Sequence, residues 1–387
     1  MSESTHKILL IGGAGFIGSS TALRLLAGGH QVRILDSFDP QIHGEDLKKS
    51  ATLRKVWEGA EVQVGDARDP VAVDRALRGI DTVYYFAAGT GTGQSMYQVR
   101  QYTDVNVNAA AVLAEQLIQK KAEIQRVVVS SSRAVYGEGA YRCAQHGAVF
   151  PKTRSVDAMQ QGRFEPVCPV CGLGVEAAAS SEGDPVQPTS IYGITKYAQE
   201  QVVLNLCAAM GITAVALRYQ NVFGPGQSLR NPYTGILSIF SQLLLEKRQI
   251  NVFEDGLATR DFVYIDDVVE FNLRAGLHAV AGGSVLNVGT GKRQTLLDVV
   301  AALADAYGRE ADFKVSGQFR IGDIRHAAAD GTNLREVLGD HAFVGFGQGI
   351  KAFAGWVQSE ETDRALAQGY LRSLTEMSAS GLLKGAR

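Results

Sequence analysis

The sequence is short of several things. Its 387 residues include only 4 cysteines, 9 prolines, 5 methionines and 2 tryptophans. Four thiols in a chain this long do not make a disulfide scaffold, so a reducing, cytoplasmic setting is expected. Charge of one sign is missing too. Lys and Arg total 38 against 40 for Asp and Glu, a formal charge of -2, and the pI is near 6.4. That balance offers no electrostatic footprint for nucleic acid or an anionic membrane, and neither partner is expected. No stretch approaches the ~20 apolar residues of a membrane span. Residues 1–7 run polar into Ile8-Leu9-Leu10-Ile11, without the basic region, apolar core and cleavage site of a secretory signal. The scarcity of proline excludes proline-rich disorder, and the 43 glycines show no period of three, which excludes collagen.

What is present is alternation. Short β-branched runs at 7–11, 31–35, 61–64, 82–86, 126–130 and 213–217 read as strands separated by helical patterns. Strands joined by amphipathic crossovers imply a mostly parallel, doubly wound α/β sheet of Rossmann type covered on both faces. Residues 1–220 follow this rule except at 141–183, where Gly, Pro, Cys and polar residues replace it and mark an insertion. Residues 221–387 are mixed: 235–247 and 295–307 look helical, and 249–253 and 284–288 look like strands. A smaller mixed α/β carboxy-terminal lobe is expected, with part of the chain returning to the first domain. The last dozen residues are expected to fray.

The first strand runs directly into Gly12-Gly13-Ala14-Gly15-Phe16-Ile17-Gly18 and then a helical pattern. Gly12 permits the tight turn, Gly15 lets backbone approach a pyrophosphate, and Gly18 allows close helix packing, with the helix amino terminus offering free N–H groups. Asp36 ends the second strand where a carboxylate would bind an adenosine ribose and repel a 2′-phosphate, which favours NAD over NADP. Asp66 and Ala67, and Ala87 and Ala88, follow the third and fourth strands on the same edge. Asp66 could accept from the adenine amine or cap the next helix. Ser130-Ser131-Ser132 ends the fifth strand. Tyr192 and Lys196 stand at i and i+4 on one helical face, where an ammonium near the phenol would favour its phenolate.

Together these motifs resemble, over nearly the whole chain, the extended short-chain dehydrogenase/reductase family of NAD-dependent sugar-nucleotide epimerases and dehydratases. The resemblance implies Ser132 as catalytic hydroxyl, Tyr192 as acid/base, and Lys196 as its pKa-lowering, ribose-binding group. It implies contacts to a tightly held NAD from Gly12, Gly15, Phe16, Ile17, Gly18, Asp36, Asp66, Ala67, Ala87, Ala88, Asn106, Ser130, Tyr192, Lys196 and Tyr219. For a nucleotide-sugar substrate it implies Ser132, Tyr192, Asn221, Gln227, Arg260, Arg320 and Asp323, with guanidinium groups on the diphosphate. Dehydratases of the family carry Asp-Glu directly after the serine, where this chain has Arg133-Ala134, which leaves 4-epimerisation through a transient 4-keto sugar. A homodimer is the family expectation.

The spacing of 60 positions between Ser132 and Tyr192 exceeds the family's habit, and the surplus carries Cys143-x-x-His146 and Cys168-x-x-Cys171. Three thiolates and an imidazole suit a closed structural zinc site. A Cys168–Cys171 redox pair and unligated packing thiols are the alternatives, and Cys207 reads as core. The insertion and the 227–235 run resemble a bacterial branch of the family that converts dTDP-L-rhamnose to dTDP-6-deoxy-L-talose. UDP-hexose or UDP-glucuronate 4-epimerisation, and a non-catalytic NAD sensor with a zinc-ribbon interaction module, are the other readings.

Overall fold

The structure, a computed structural model, describes residues 5–44, 47, 50–120, 122–233, 235–278, 282–360 and 365–385. Seven strands form its main sheet: β1 (Lys7–Ile11), β2 (Gln31–Asp36), β3 (Glu61–Val64), β4 (Thr82–Tyr85), β5 (Arg126–Ser132), β6 (Thr213–Tyr219) and β7 (Ser284–Val288). In space they run β7-β6-β5-β4-β1-β2-β3, and every pairing is parallel. The order departs in opposite directions from β1, so the gap between β1 and β4 is the switch point outside which doubly wound sheets bind ligands. The expected fold class is the one observed.

Alternation within the strands sets the layers. Leu9, Ile11, Val83, Tyr85, Val127, Val129, Ala214 and Ala216 face one side and pack with Leu113, Leu117, Val203 and Cys207 from the helices Ala109–Lys120 and Ile191–Met210. Ile8, Leu10, Tyr84, Val128, Val215, Leu217, Leu286 and Val288 face the other, against Ala22, Leu25, Val268 and Phe271 from Phe16–Ala27 and Ile265–Leu277. Central strands buried on both faces have no polar face to show, which is why they read as unbroken apolar runs.

The smaller lobe has its own core, including Phe223, Leu237, Phe240, Ile250, Phe262, Leu303 and Phe353. Its strands Asn221–Phe223, Thr259–Tyr264 and Arg293–Thr295 make a mixed sheet, flanked by the helices Ile236–Leu245 and Leu296–Tyr307. β7 is the part of the chain after 221 that returns to the main sheet, at its edge beside β6. The chain end differs from expectation. Leu383–Lys384 pairs antiparallel with Phe319–Arg320, because the helix Ala365–Ala379 buries Tyr370 and Met377 and leads the chain back, while residues 386–387 lie outside the described residues.

The insertion folds as three short antiparallel strands, Gly147–Val149, Tyr141–Cys143 and Glu176–Ala177. Among the described residues its buried side chains form two small clusters, Tyr141, Cys143, Val149 and Cys168 in one and Met159 and Phe164 with Phe319 of the second lobe in the other. A core that small cannot hold a fold without a staple.

Candidate active site

A cavity of about 620 Å³ opens at the carboxyl ends of β1, β2, β4 and β5 and runs into the smaller lobe. At its first end the glycines are there for want of room. A Cβ on Gly12, whose φ is +77°, would stand 2.5 Å from Ala87 N, and one on Gly18 would stand 2.6 Å from Gly12 O. A Cβ on Gly15 would meet nothing nearer than Gly12 O at 3.4 Å, and Gly15 lines the cavity, so its bare Cα is a cradle for a ligand. Gly15 caps the helix Phe16–Ala27 with no side-chain bond, which leaves the first-turn N–H groups to an anion.

Asp36 is fixed by Ala14 N (3.0 Å) and Phe38 N (2.8 Å), with His43 Nε2 at 3.7 Å. Asp66 takes Arg68 Nη2 (2.6 Å) and Arg68 N (2.8 Å), and Arg68 reaches on to Asp104 (2.6 Å). The cap of the next helix is not Asp66 but Asp69, whose Oδ1 accepts from Val71 N. Ala67, Ala87, Ala88, Ser130 and Tyr219 also line the cavity. Asn106 does not. It is fully buried behind the wall, where its amide takes Gly89 N (2.7 Å) and donates to Gly89 O (3.2 Å) and Thr195 Oγ1 (2.9 Å). Its donors are all used, so it shapes the Gly89 loop instead of reaching a cofactor. The glycine cradle, the free helix terminus and the Asp36 carboxylate fit an NAD adenosine diphosphate.

β5 delivers three serines to the cavity, each with its own partner. Ser131 Oγ donates to Glu200 Oε2 (2.6 Å), and the same carboxylate takes Arg218 Nε (3.0 Å) and Nη2 (2.7 Å). Arg218 Nη1 donates to Tyr136 Oη (2.8 Å), which donates to Asn287 Oδ1 (2.8 Å). This buried network ties β5, β6, β7 and the Ile191–Met210 helix together, and breaking such a pair costs about 3–5 kcal/mol. Ser132 Oγ accepts from Ala134 N (3.2 Å), capping the single turn Arg133–Tyr136.

Ser190 Oγ caps the Ile191–Met210 helix through Gly193 N (3.1 Å), and Ser95 Oγ accepts from Tyr192 N (3.0 Å), so both ends of the Tyr192 residue are held. Burial raises the Tyr192 phenol above its ordinary value, while a hydrogen bond from Ser132 and the charge of Arg133 pull it back. Lys196 donates to Ser130 Oγ (3.4 Å) and to Gln199 Oε1, and burial pushes it down to about 7 against the pull of Glu200. The charge of Arg133 is one of the influences that lower the phenol. Lys196, expected to lower the phenol and to hold the ribose, lines the same cavity and is bonded to acceptors on its own helix and on β5.

Asn221, Gln227, Arg260, Arg320 and Asp323 line the far half of the cavity. Asn221 Oδ1 accepts from Arg133 Nε (3.2 Å), and Gln227 Oε1 is buried without a partner among the described residues. Arg320 lies over the Phe253 ring and grips Asp323 Oδ2 through Nε and Nη2, each at 2.7 Å. Arg260 donates to the carbonyls of Thr259 (2.8 Å), Ile324 (2.9 Å) and Arg325 (3.1 Å). Arg133, Arg260 and Arg320 all line the cavity, and burial together with Arg260 pushes Arg133 down to about 9.

Away from the cavity, Cys143, His146, Cys168 and Cys171 offer ligand atoms all within 4.8 Å of one another. Cys143 Sγ lies 3.5 Å from His146 Nδ1 and 3.8 Å from Cys171 Sγ, and Cys168 Sγ lies 3.6 Å from His146 Nδ1. A tetrahedron with Zn–S bonds of about 2.3 Å and a Zn–N bond of about 2.0 Å has edges of about 3.8 Å and 3.5 Å, which these three distances match, so the four residues could hold a metal ion.

Residues 8–156 and 169–289 match the model of the NAD dependent epimerase/dehydratase family. The chain belongs to this family. The unmatched gap falls inside the Cys-rich insertion. A dTDP-L-rhamnose 4-epimerase of Burkholderia thailandensis is 36% identical over 360 residues, 92% of this chain and 96% of its own. A UDP-glucose 4-epimerase of Mycolicibacterium smegmatis is 31% identical over 89% of this chain and 96% of its own. The solved structure of MoeE5 in complex with UDP-glucuronic acid and NAD superposes with a TM-score of 0.72 at 28% identity, covering 91% of this chain and 99% of that one. The protein is thus an enzyme, an extended short-chain dehydrogenase/reductase of the NAD-dependent sugar-nucleotide epimerase type. No helix among the described residues is long and apolar enough to cross a membrane.

Sequence reasoning passed over several residues of this site. Arg133 was weighed only for the acid chemistry it lacks, and its cavity position beside Tyr192 has no local signal. Glu254 and Tyr370 also line the cavity. Glu254 sits at φ 56 just before Asp255-Gly256, a turn dipeptide that could have flagged it.

Proposed function

We propose that this protein is a nucleotide-sugar 4-epimerase whose substrate and product are dTDP-L-rhamnose and dTDP-6-deoxy-L-talose. The observation that carries the reading is the position of Tyr192. Tyr192, Ser132 and Arg133 line one cavity together with the glycine turn, Arg260 and Arg320, and the Ser132 hydroxyl and the Arg133 charge both lower the phenol. Bound NAD would supply a reversible hydride acceptor there. Tyr192 would take the proton of the sugar's carbon 4 hydroxyl and later return it, with Ser132 donating to the same oxygen. Arg133 would favour the phenolate before the proton is taken and after it is returned, and Arg260 and Arg320 would anchor the diphosphate while the sugar turns. Arginine and alanine at 133 and 134 supply no carboxyl pair to expel a hydroxyl, which favours epimerisation over dehydration. The choice of sugar is supported by the 36% identical relative of that name.

A UDP-glucuronate substrate is the second reading, supported by the likeness to MoeE5, which was solved with UDP-glucuronic acid and NAD. Zinc at Cys143, His146, Cys168 and Cys171 completes the proposal as a structural ion, supported by the close approach of the four ligand atoms. Proton NMR of the purified protein with dTDP-L-rhamnose, UDP-glucose and UDP-glucuronate, without added NAD, tests the whole. Inversion of the deoxy sugar's carbon 4 coupling is expected, and inversion of a UDP sugar instead would replace the substrate. Tyr192→Phe should abolish turnover, a loss of at least about 10²-fold, while leaving NAD bound. Full turnover in that variant would overturn the acid/base assignment.

A further inference from the structure

We propose that the Cys-rich insertion is part of the nucleotide-sugar site, with Arg154 and Glu165 as positioning residues for the backbone that presents Arg260, Arg320 and Asp323 to the cavity. The inference rests on reading that end of the cavity as the diphosphate end. It begins from an anomaly. A surface knuckle has no need of buried charge, yet Glu138, Arg154, Glu254 and Arg325 are between 0% and 8% exposed and join the insertion to the second lobe.

Arg154, within the insertion, directs four bonds to four different segments: Nε to Glu138 Oε1 (2.9 Å), Nη1 to Phe164 O (3.0 Å), and Nη2 to Asp323 O (3.0 Å) and Glu254 Oε1 (2.8 Å). The third of these holds the peptide whose own side chain is gripped by Arg320. Glu165, also in the insertion, takes Arg325 Nε (2.7 Å) through one oxygen and faces His326 Nε2 (3.0 Å) through the other. Glu138 Oε2 takes Arg325 N (2.9 Å), and Arg325 Nη1 and Nη2 are completed by Glu254 and Asp255. Phe164 packs on Phe319, one residue before Arg320.

The 323–326 segment is therefore held from the insertion on one side. On its other side the carbonyls of Ile324 and Arg325 aim the Arg260 guanidinium. An arginine fork recognises phosphate only when its N–H vectors are set, and a misplacement of about 1 Å can cost about 10²-fold. Apolar packing could hold two lobes together as well as buried ion pairs do. A saturated ionic lattice ending on backbone carbonyls adds fixed orientation, which is what a diphosphate clamp requires.

The test uses the zinc- and NAD-loaded protein, with dTDP and UDP as probes in calorimetry and with KM and kcat measured separately. Arg154→Met should weaken nucleoside diphosphate binding and raise KM by about ten-fold, with kcat and bound NAD little changed. Arg154→Lys should recover part of the loss, since an ammonium reaches some of the four acceptors. Glu165→Gln, on a carboxylate that is 55% exposed, should raise KM more modestly, and it decides the matter alone if Arg154→Met does not fold. Unchanged binding in the folded variants would overturn the inference while the functional reading stands. Wild-type protein that binds neither nucleoside diphosphate would overturn the reading and the inference with it.

Discussion

Replacing Gly193 by alanine should reverse an ordinary rule. A glycine inside a helix usually gains up to about 1 kcal/mol on becoming alanine. Gly193 follows Tyr192 near the start of the Ile191–Met210 helix, and its φ is not positive, so no backbone strain opposes the change. Space does. A Cβ there would stand 2.5 Å from Ala134 O and 2.9 Å from Pro188 Cβ, where ordinary contact begins at 3.4 Å, so the helix and the Arg133–Tyr136 turn must part by about 0.9 Å. Overpacking of this kind costs about 1–3 kcal/mol, which exceeds the propensity gain and leaves a net loss of up to about 2 kcal/mol. The larger effect is on turnover. Ala134 N is bonded to Ser132 Oγ, so the turn carries the hydroxyl away from the phenol, and a shift near 1 Å at reacting groups costs about 10²-fold. Thermal melting together with kcat/KM measures both effects. Gly193→Ala with unchanged melting and near wild-type kcat/KM would refute the reasoning, and lost stability with full turnover would refute the transmission to Ser132.

Purified protein should carry one zinc per chain by elemental analysis, and Cys168→Ser should remove it and open residues 141–183 to limited proteolysis. A metal-free wild type that resists the protease would count against the site. Lys196 links pH to stability. Its folded value of about 7 lies below the 10.5 of a free lysine, so between these values the unfolded chain binds more protons and stability rises with pH. The destabilising charge is fully present below about pH 7. Lys196→Met should flatten the rise of melting temperature from pH 7 to pH 10 in protein stripped of NAD, and identical slopes in both proteins would refute the assignment.

The strands and the glycine turn were legible because each is written locally: buried parallel strands as apolar runs, the turn as glycines at fixed offsets. The serine run with Tyr192 and Lys196 was legible as a motif, but motifs do not say which way a side chain turns. Lys196 is bonded to Gln199 one turn along its own helix, and the charge of Arg133 also bears on the phenol. The helix cap at Asp69 was announced by the proline that follows it, whereas Asp66 was claimed by Arg68 two residues on. Glu138 and Arg325 are 187 positions apart, and no local pattern pairs residues at that distance. The pairing of Leu383 with Arg320 was hidden for the same reason.

β7 has a consequence for how the chain is made. It lies at the edge of the main sheet beside β6, yet it leaves the ribosome only after most of the second lobe's first half. Tyr84 and Tyr219, from β4 and β6, both donate to Asn272 of the Ile265–Leu277 helix, which is also synthesised late. A nascent chain that stops near residue 220 thus exposes an unpaired strand edge and a bare apolar face, the features through which incomplete α/β domains bind chaperones or one another. The main sheet gains its last strand and the partner of Tyr84 and Tyr219 only when the smaller lobe is already emerging, so the two are completed together.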